Sequence, residues 1–194
     1  MKYNIEEVAS LMPDYLGFIF YEKSPRHIEK SIPMITSTIK KVGVFVDAEI
    51  DFISEMVREH GLDIIQLHGE ESPELCRELR GLDIKEIWKV FSVKDKFDFS
   101  VLKEYENYVD KFLFDTKGKN KGGNGYTFDW SLLKAYPSKK PIVLSGGIGL
   151  RELPKIKAVL STNLPIEVID VNSQFESKPG LKKIDELKLF MNEL

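Results

Sequence analysis

Pro141-Ile142-Val143-Leu144-Ser145-Gly146-Gly147-Ile148, followed by a helical pattern from Leu150 to Leu160, is the stretch on which the fold turns. A short apolar run without polar alternation, then paired glycines, then an amphipathic segment reads as a strand covered on both faces that leads into a helix. Glycines let the backbone approach an anion, and N–H groups at the start of the helix point at it, so Ser145-Gly146-Gly147 is a candidate phosphate loop. The same alternation extends in both directions. Strand candidates are Tyr15 to Phe20, Val42 to Val46, Asp63 to Leu67, Ile84 to Val90, Lys111 to Phe114, Pro141 to Leu144 and Ile166 to Ile169. Helical patterns run from Asn4 to Met12, Ser31 to Thr38, Ile50 to Glu59, Pro73 to Leu79, Phe128 to Ala135, Leu150 to Leu160 and Ile184 to Met191. Ser72-Pro73-Glu74 is a clear helix start, with Ser72 as cap and Pro73 in the first turn.

Repeated βα units with apolar strands predict an α/β fold with a parallel sheet. The expectation is a TIM (β/α)8 barrel formed by residues 1–194 as a single domain. Seven of the eight strands such a barrel needs are visible. The chain opens on a helical pattern that would normally follow a strand, so a leading strand is expected to be missing at the N-terminus. An open doubly wound sheet, which tolerates other strand counts, stays open as the alternative from periodicity alone. Losing one strand leaves unpaired edges on the first and last visible strands, and such edges invite a homodimer.

Composition narrows the function. Apolar residues make up 42% and charged residues 30% of the 194, ordinary values for a globular chain that buries a core. The formal net charge of -3 offers no general attraction to phosphate backbones, so nucleic acid is not an expected partner. The single cysteine, Cys76, excludes an intramolecular disulfide framework and a multi-thiolate zinc site, and fits a cytoplasmic setting. No apolar run approaches the roughly 20 residues that span a bilayer, so no membrane partner is expected.

In parallel βα architectures the chemistry gathers where strands end. Asp115 directly follows Phe112-Leu113-Phe114, where desolvation favours the neutral carboxyl and suits a general acid. Lys119 to Gly125 is a glycine-rich loop able to close over a ligand. The last strand runs into Asn172-Ser173-Gln174, which could open a short helical turn, and the final two βα loops of such barrels commonly form one phosphate site. Arg26 presents a planar fork suited to a carboxylate. His68 taken alone reads as structural, and Cys76 as a small packing residue within a helix.

Taken in order, these segments resemble phosphoribosylanthranilate isomerase. The matching stretches are Gly17-Phe18-Ile19-Phe20 with Ser24-Pro25-Arg26, Val42-Gly43-Val44-Phe45-Val46, and Gln66-Leu67-His68-Gly69-Glu70. They continue through Phe112-Leu113-Phe114-Asp115-Thr116, Gly122-Gly123-Asn124-Gly125 with Phe128-Asp129-Trp130, Leu144-Ser145-Gly146-Gly147-Ile148, and Asp170-Val171-Asn172-Ser173 with Glu176 and Pro179-Gly180. The resemblance implies an acid/base Amadori rearrangement of a phosphosugar-anthranilate substrate in tryptophan biosynthesis, with no metal and no organic cofactor. It also implies roles. Asp115 is the general acid, Arg26 holds the anthranilate carboxylate, His68 lies near the anthranilate, and Asp170 contacts sugar hydroxyls or the amine. Backbone amides around Gly146, Gly147, Asn172 and Ser173 hold the phosphate.

Two departures stand out. The family's general base is a cysteine on the first strand, in a Lys-Ile-Cys-Gly-like motif, and nothing here matches it, so impaired activity is expected of the chain as written. Asn172-Ser173-Gln174-Phe175 stands where a Ser-Ser-Gly-Val run is common. The alternatives are another phosphate-binding barrel enzyme and a non-catalytic phosphosugar-binding remnant. With only His27, His60 and His68, a metal-dependent epimerase is disfavoured.

Overall fold

The computed structural model describes residues 1–82, 84–116 and 127–194. Seven strands, β1 (Tyr15–Ile19), β2 (Lys40–Phe45), β3 (Ile64–Leu67), β4 (Glu86–Val93), β5 (Lys111–Thr116), β6 (Ile142–Leu144) and β7 (Ile166–Ile169), form one parallel sheet in sequence order. Helices α1 (Ile5–Ala9), α2 (Ile50–His60), α3 (Pro73–Arg80), α4 (Leu102–Tyr105), α5 (Leu153–Leu160) and α6 (Ile184–Glu193) lie between or beyond them. A small antiparallel hairpin, β8 (Glu176–Lys178) and β9 (Leu181–Lys182), follows β7.

Side-chain alternation along each strand explains why these runs are apolar throughout. Residues of one parity, among them Phe45, Ile65, Leu67, Ile87, Phe112, Phe114, Ile142 and Leu144, pack outward into the main core with Ile53, Leu79 and Ile156 of the helices. Residues of the other parity, Val42, Ile64, Trp88, Val90, Leu113 and Val143, form a separate inner cluster joined by Tyr15 and Val168. All seven strands contribute to that inner cluster, so the sheet curls around it as a barrel does. Seven curled parallel strands are what the sequence predicts.

The helix expected over Ser31 to Thr38 is absent, and that stretch is irregular. Ile32, Ile35, Thr36 and Thr38 are β-branched, Pro33 interrupts the run, and so short a segment does not offset the cost of nucleation. Ile32 and Ile35 still rest on the core while Met34 is fully exposed. The pattern from Phe128 to Ala135 becomes a 3-10 turn over Trp130–Ala135, and the connection holding α4 was not anticipated. Ser72 caps α3 as expected, its hydroxyl accepting from Leu75 N at 3.3 Å. Gly61 ends α2 in the left-handed region that favours glycine. Among the described residues no helix is long and apolar enough to cross a membrane.

The outer edge of β1 is less open than the sequence suggests. Ile28 N donates to Ile19 O at 3.0 Å, and the Met1 amino group donates to Gly17 O. Carbonyls that no neighbouring strand pairs on that edge have thus found local donors.

Candidate active site

Asp115 is set by β5, whose six residues are all buried. Phe114 and Phe112, one and three positions before it, face outward into an aromatic layer. Phe114 lies 5.6 Å from Phe97 and 5.9 Å from both Phe99 and Tyr136, ring centre to ring centre. With its strand pinned from behind, Asp115 projects inward at the carboxyl end of the sheet, and its Oδ1 accepts from Thr116 N at 2.8 Å.

The loop after β6 fits around that carboxylate. Gly146 and Gly147 have φ of 89° and 70°, the left-handed region where a side chain is strained. A Cβ on Gly146 would collide with Thr116 N, Thr116 Oγ1 and the Asp115 carboxylate. Glycine is therefore required there for close approach as well as for conformation. Ser145 Oγ donates to Asp170 Oδ2 at 2.8 Å, tying this loop to the residue that follows β7. Asn172 and the turn Ser173–Phe175 continue from there, so the short helical turn expected after the last strand is present.

His68 follows β3, with its Nε2 3.3 Å from Asp115 Oδ2. Gln66 Nε2 lies 3.3 Å from His68 Nδ1; with the amide donating, the ring proton sits on Nε2 and faces the aspartate. The loop carrying His68 is clamped from below by a buried ion pair. Glu71 meets Lys89 at 2.9 Å and accepts from Gly69 N and Asp47 N, while Lys89 also donates to Gly69 O at 2.8 Å.

Arg26 follows β1 and reaches across to the β8–β9 hairpin. Its Nε and Nη2 donate to Glu176 Oε2 at 2.9 and 2.7 Å. All eight residues singled out by sequence, Arg26, His68, Asp115, Gly146, Gly147, Asp170, Asn172 and Ser173, line one cavity of about 510 Å³. The glycine loop from Lys119 to Gly125 lies outside the described residues. Among the polar lining residues that sequence reasoning did not single out are Gln66 and Lys182. Gln66 shares the face of His68 by strand alternation, a usable signal. Lys182 carried none, because nothing local marks a buried lysine after a hairpin turn.

The electrostatics single out Asp170. Asp170 lines the cavity and is half-buried. Burial pushes its carboxyl up, the Ser145 hydroxyl works against that, and the nearby Asp115 charge adds to it. Burial also pushes the Cys76 thiol up to about 11, and Cys76 is fully buried in α3, away from the cavity. It packs, as expected, and has no thiolate to offer. Among the described residues no cluster of His, Cys, Asp and Glu is suited to hold a metal ion.

Residues 2–193 match the family described as "PRAI: N-(5'phosphoribosyl)anthranilate (PRA) isomerase". The chain is similar to the N-(5'-phosphoribosyl)anthranilate isomerase of Parabacteroides distasonis, 43% identical over 197 residues, covering 98% of this chain and 88% of the relative. The enzyme of Phocaeicola vulgatus is 37% identical, covering 98% of this chain and 92% of its own length. In structure the chain is similar to monomers generated from the dimeric phosphoribosylanthranilate isomerase of Thermotoga maritima (TM-score 0.78, 32% identity, 99% and 94% covered). It is also similar to a phosphoribosylanthranilate isomerase in complex with reduced 1-(o-carboxyphenylamino)-1-deoxyribulose 5-phosphate (TM-score 0.79, 29% identity, 99% and 94% covered). With a family match across nearly its whole length and relatives this close, the chain belongs to the N-(5'-phosphoribosyl)anthranilate isomerase family.

Proposed function

We propose that this chain performs the family's reaction, converting N-(5-phosphoribosyl)anthranilate into 1-(2-carboxyphenylamino)-1-deoxyribulose 5-phosphate in tryptophan biosynthesis. The observation that carries the reading is the convergence of Asp115, the Arg26 fork and the two loops after β6 and β7 on one cavity. In this reading Asp115 protonates the furanose ring oxygen and the sugar opens to a Schiff base. Removal of the C2 proton then gives an enolamine, which collapses to the ketone. Arg26 holds the anthranilate carboxylate with the guanidinium edge that Glu176 leaves free. His68 lies at the anthranilate end and steadies Asp115. Asp170 meets the sugar hydroxyls or the amine, and amides around Gly146, Gly147, Asn172 and Ser173 hold the phosphate.

The general base is assigned to an eighth strand in the gap between β1 and β7, carrying a cysteine as the family resemblance implies. Three observations support that placement. β7 pairs only with β6 among the described residues. β1 and β7 both line the same cavity. A Cβ on Gly17, in the middle of β1, would meet nothing within 4 Å. Residues 1–194 are then one barrel domain, one strand short of closure, in a cytoplasmic setting. Where the gap is unfilled, the free edge of β7 is open to a second copy of the chain, giving a homodimer.

Turnover of N-(5-phosphoribosyl)anthranilate tests this, measured on the chain as written and on a form extended upstream by a strand carrying Lys-Ile-Cys-Gly. The extended form should turn over while the shorter one is strongly impaired, and Asp115→Asn in the extended form should lower kcat by about 10²–10⁴-fold. Equal rates in the two forms would overturn the strand assignment. An Asp115→Asn form of undiminished kcat would overturn the acid, and binding without turnover in the extended form would favour a non-catalytic remnant.

A further inference from the structure

Between the two ends of the cavity lies a buried charge network that the proposed reaction does not use. Glu176, on β8, accepts from Arg26 through Oε2 and from Lys182 Nζ through Oε1 at 3.0 Å, with Gly180 N also on Oε1 at 3.1 Å. Lys182 Nζ further donates to Asn172 O at 3.1 Å and Asn172 Oδ1 at 2.6 Å. An ammonium has three protons, and these three acceptors use them all. Lys182 is 8% exposed, so protein acceptors and not solvent meet its charge. It is therefore no free acid or base; it fixes Asn172, a residue of the loop after β7. Glu176 in turn holds Arg26, in the loop after β1. A single carboxylate thus links Arg26 on one side of the cavity to Asn172 on the other through one lysine.

We propose that Glu176 is a positioning residue that couples the carboxylate-binding and phosphate-binding ends of the cavity, so that an anion at either end strengthens binding at the other. The inference rests on the function proposed above and deepens it. The physical reason is ordering. An anion between the loops holds Asn172, hence Lys182 and Glu176, and Arg26 is then presented with its outer edge already set for a second carboxylate. Reciprocity follows from linkage, since the coupling factor is the same in both directions.

The probes are anthranilate and inorganic phosphate, with each affinity measured by calorimetry in the absence and in the saturating presence of the other. The unsubstituted chain should show mutual strengthening of about fivefold. Glu176→Gln keeps the shape and removes the charge; it should bring the factor to one and weaken each probe about tenfold. Lys183→Ala, which loses only an exposed contact with Glu186, should leave the factor unchanged. Should Glu176→Gln fail to fold, Glu176→Gln with Lys182→Met removes the more deeply buried of the two cations that Glu176 meets and carries the same reading. A merely structural role lowers affinity or stability without abolishing mutual strengthening, so a factor that survives either replacement overturns the coupling. Titration of the unsubstituted chain with the reduced substrate analogue separates the two levels. No binding there overturns the functional reading itself, whereas binding with a coupling factor of one overturns this inference alone.

Discussion

At Asp170 the surroundings set the proton affinity of a carboxyl, and the shift has a measurable sign. Burial first, then the Asp115 charge, raise the Asp170 carboxyl above its ordinary value against the pull of Ser145. A folded-state value above the unfolded one means that the folded chain holds the proton more tightly. The contribution to stability is present below the usual carboxylate range and is lost as pH rises through the folded value, so at pH 7 an ionised Asp170 is a cost. Asp170→Asn removes that cost while Ser145 can still donate to the amide oxygen. Thermal unfolding should show Tm raised by about 2–4 °C at pH 7 and unchanged near pH 4, with binding of the reduced analogue weakened. A Tm lowered at pH 7 would contradict the desolvation account. The candidate residues were legible one by one because each sits at a strand end or in the loop that follows one. Their mutual contacts were not, since His68 and Asp115 meet only after β3 and β5 have curled toward a common interior.

Of the elements, β5 does most to place the acid. The aromatic layer of Phe91, Phe97, Phe99 and Tyr136 around Phe114 holds the strand from its outer side. Phe114→Ala should cost about 3–5 kcal/mol in denaturant unfolding through transfer and cavity terms. Less than about 1 kcal/mol would show that the layer is not what holds β5. The strands were readable because an apolar run as short as Phe112-Leu113-Phe114, set among repeated βα units, fits a strand covered on both faces and is too brief for a buried helix. Connections were less readable. Ser31 to Thr38 carries apolar residues at helical spacing, yet β-branching and Pro33 give it an irregular path that still lays Ile32 and Ile35 on the core. The β8–β9 hairpin was missed because its two short strands are fixed by distant groups. Asn4 Oδ1 accepts from Lys182 N at 3.0 Å, and Tyr3 N donates to Gly180 O at 3.0 Å.

At the scale of the whole molecule, a curled sheet of seven parallel strands brings residues from positions 26 to 173 to one rim, and a hairpin behind β7 ties two of its sides together. The strand order followed from the repeat, since consecutive parallel βα units place neighbours side by side. Closure is a property of the ring and not of any segment, which is why the partial covering of the β1 edge by Met1 and Ile28 lay beyond sequence reading. A single rim of this kind takes one ligand bearing both a phosphate and a benzoate. Calorimetric titration with reduced 1-(o-carboxyphenylamino)-1-deoxyribulose 5-phosphate should give one saturable site per chain, displaced by anthranilate and by inorganic phosphate alike and weakened by Arg26→Ala. Displacement by only one of the two, or no saturable binding at all, would contradict a single mouth.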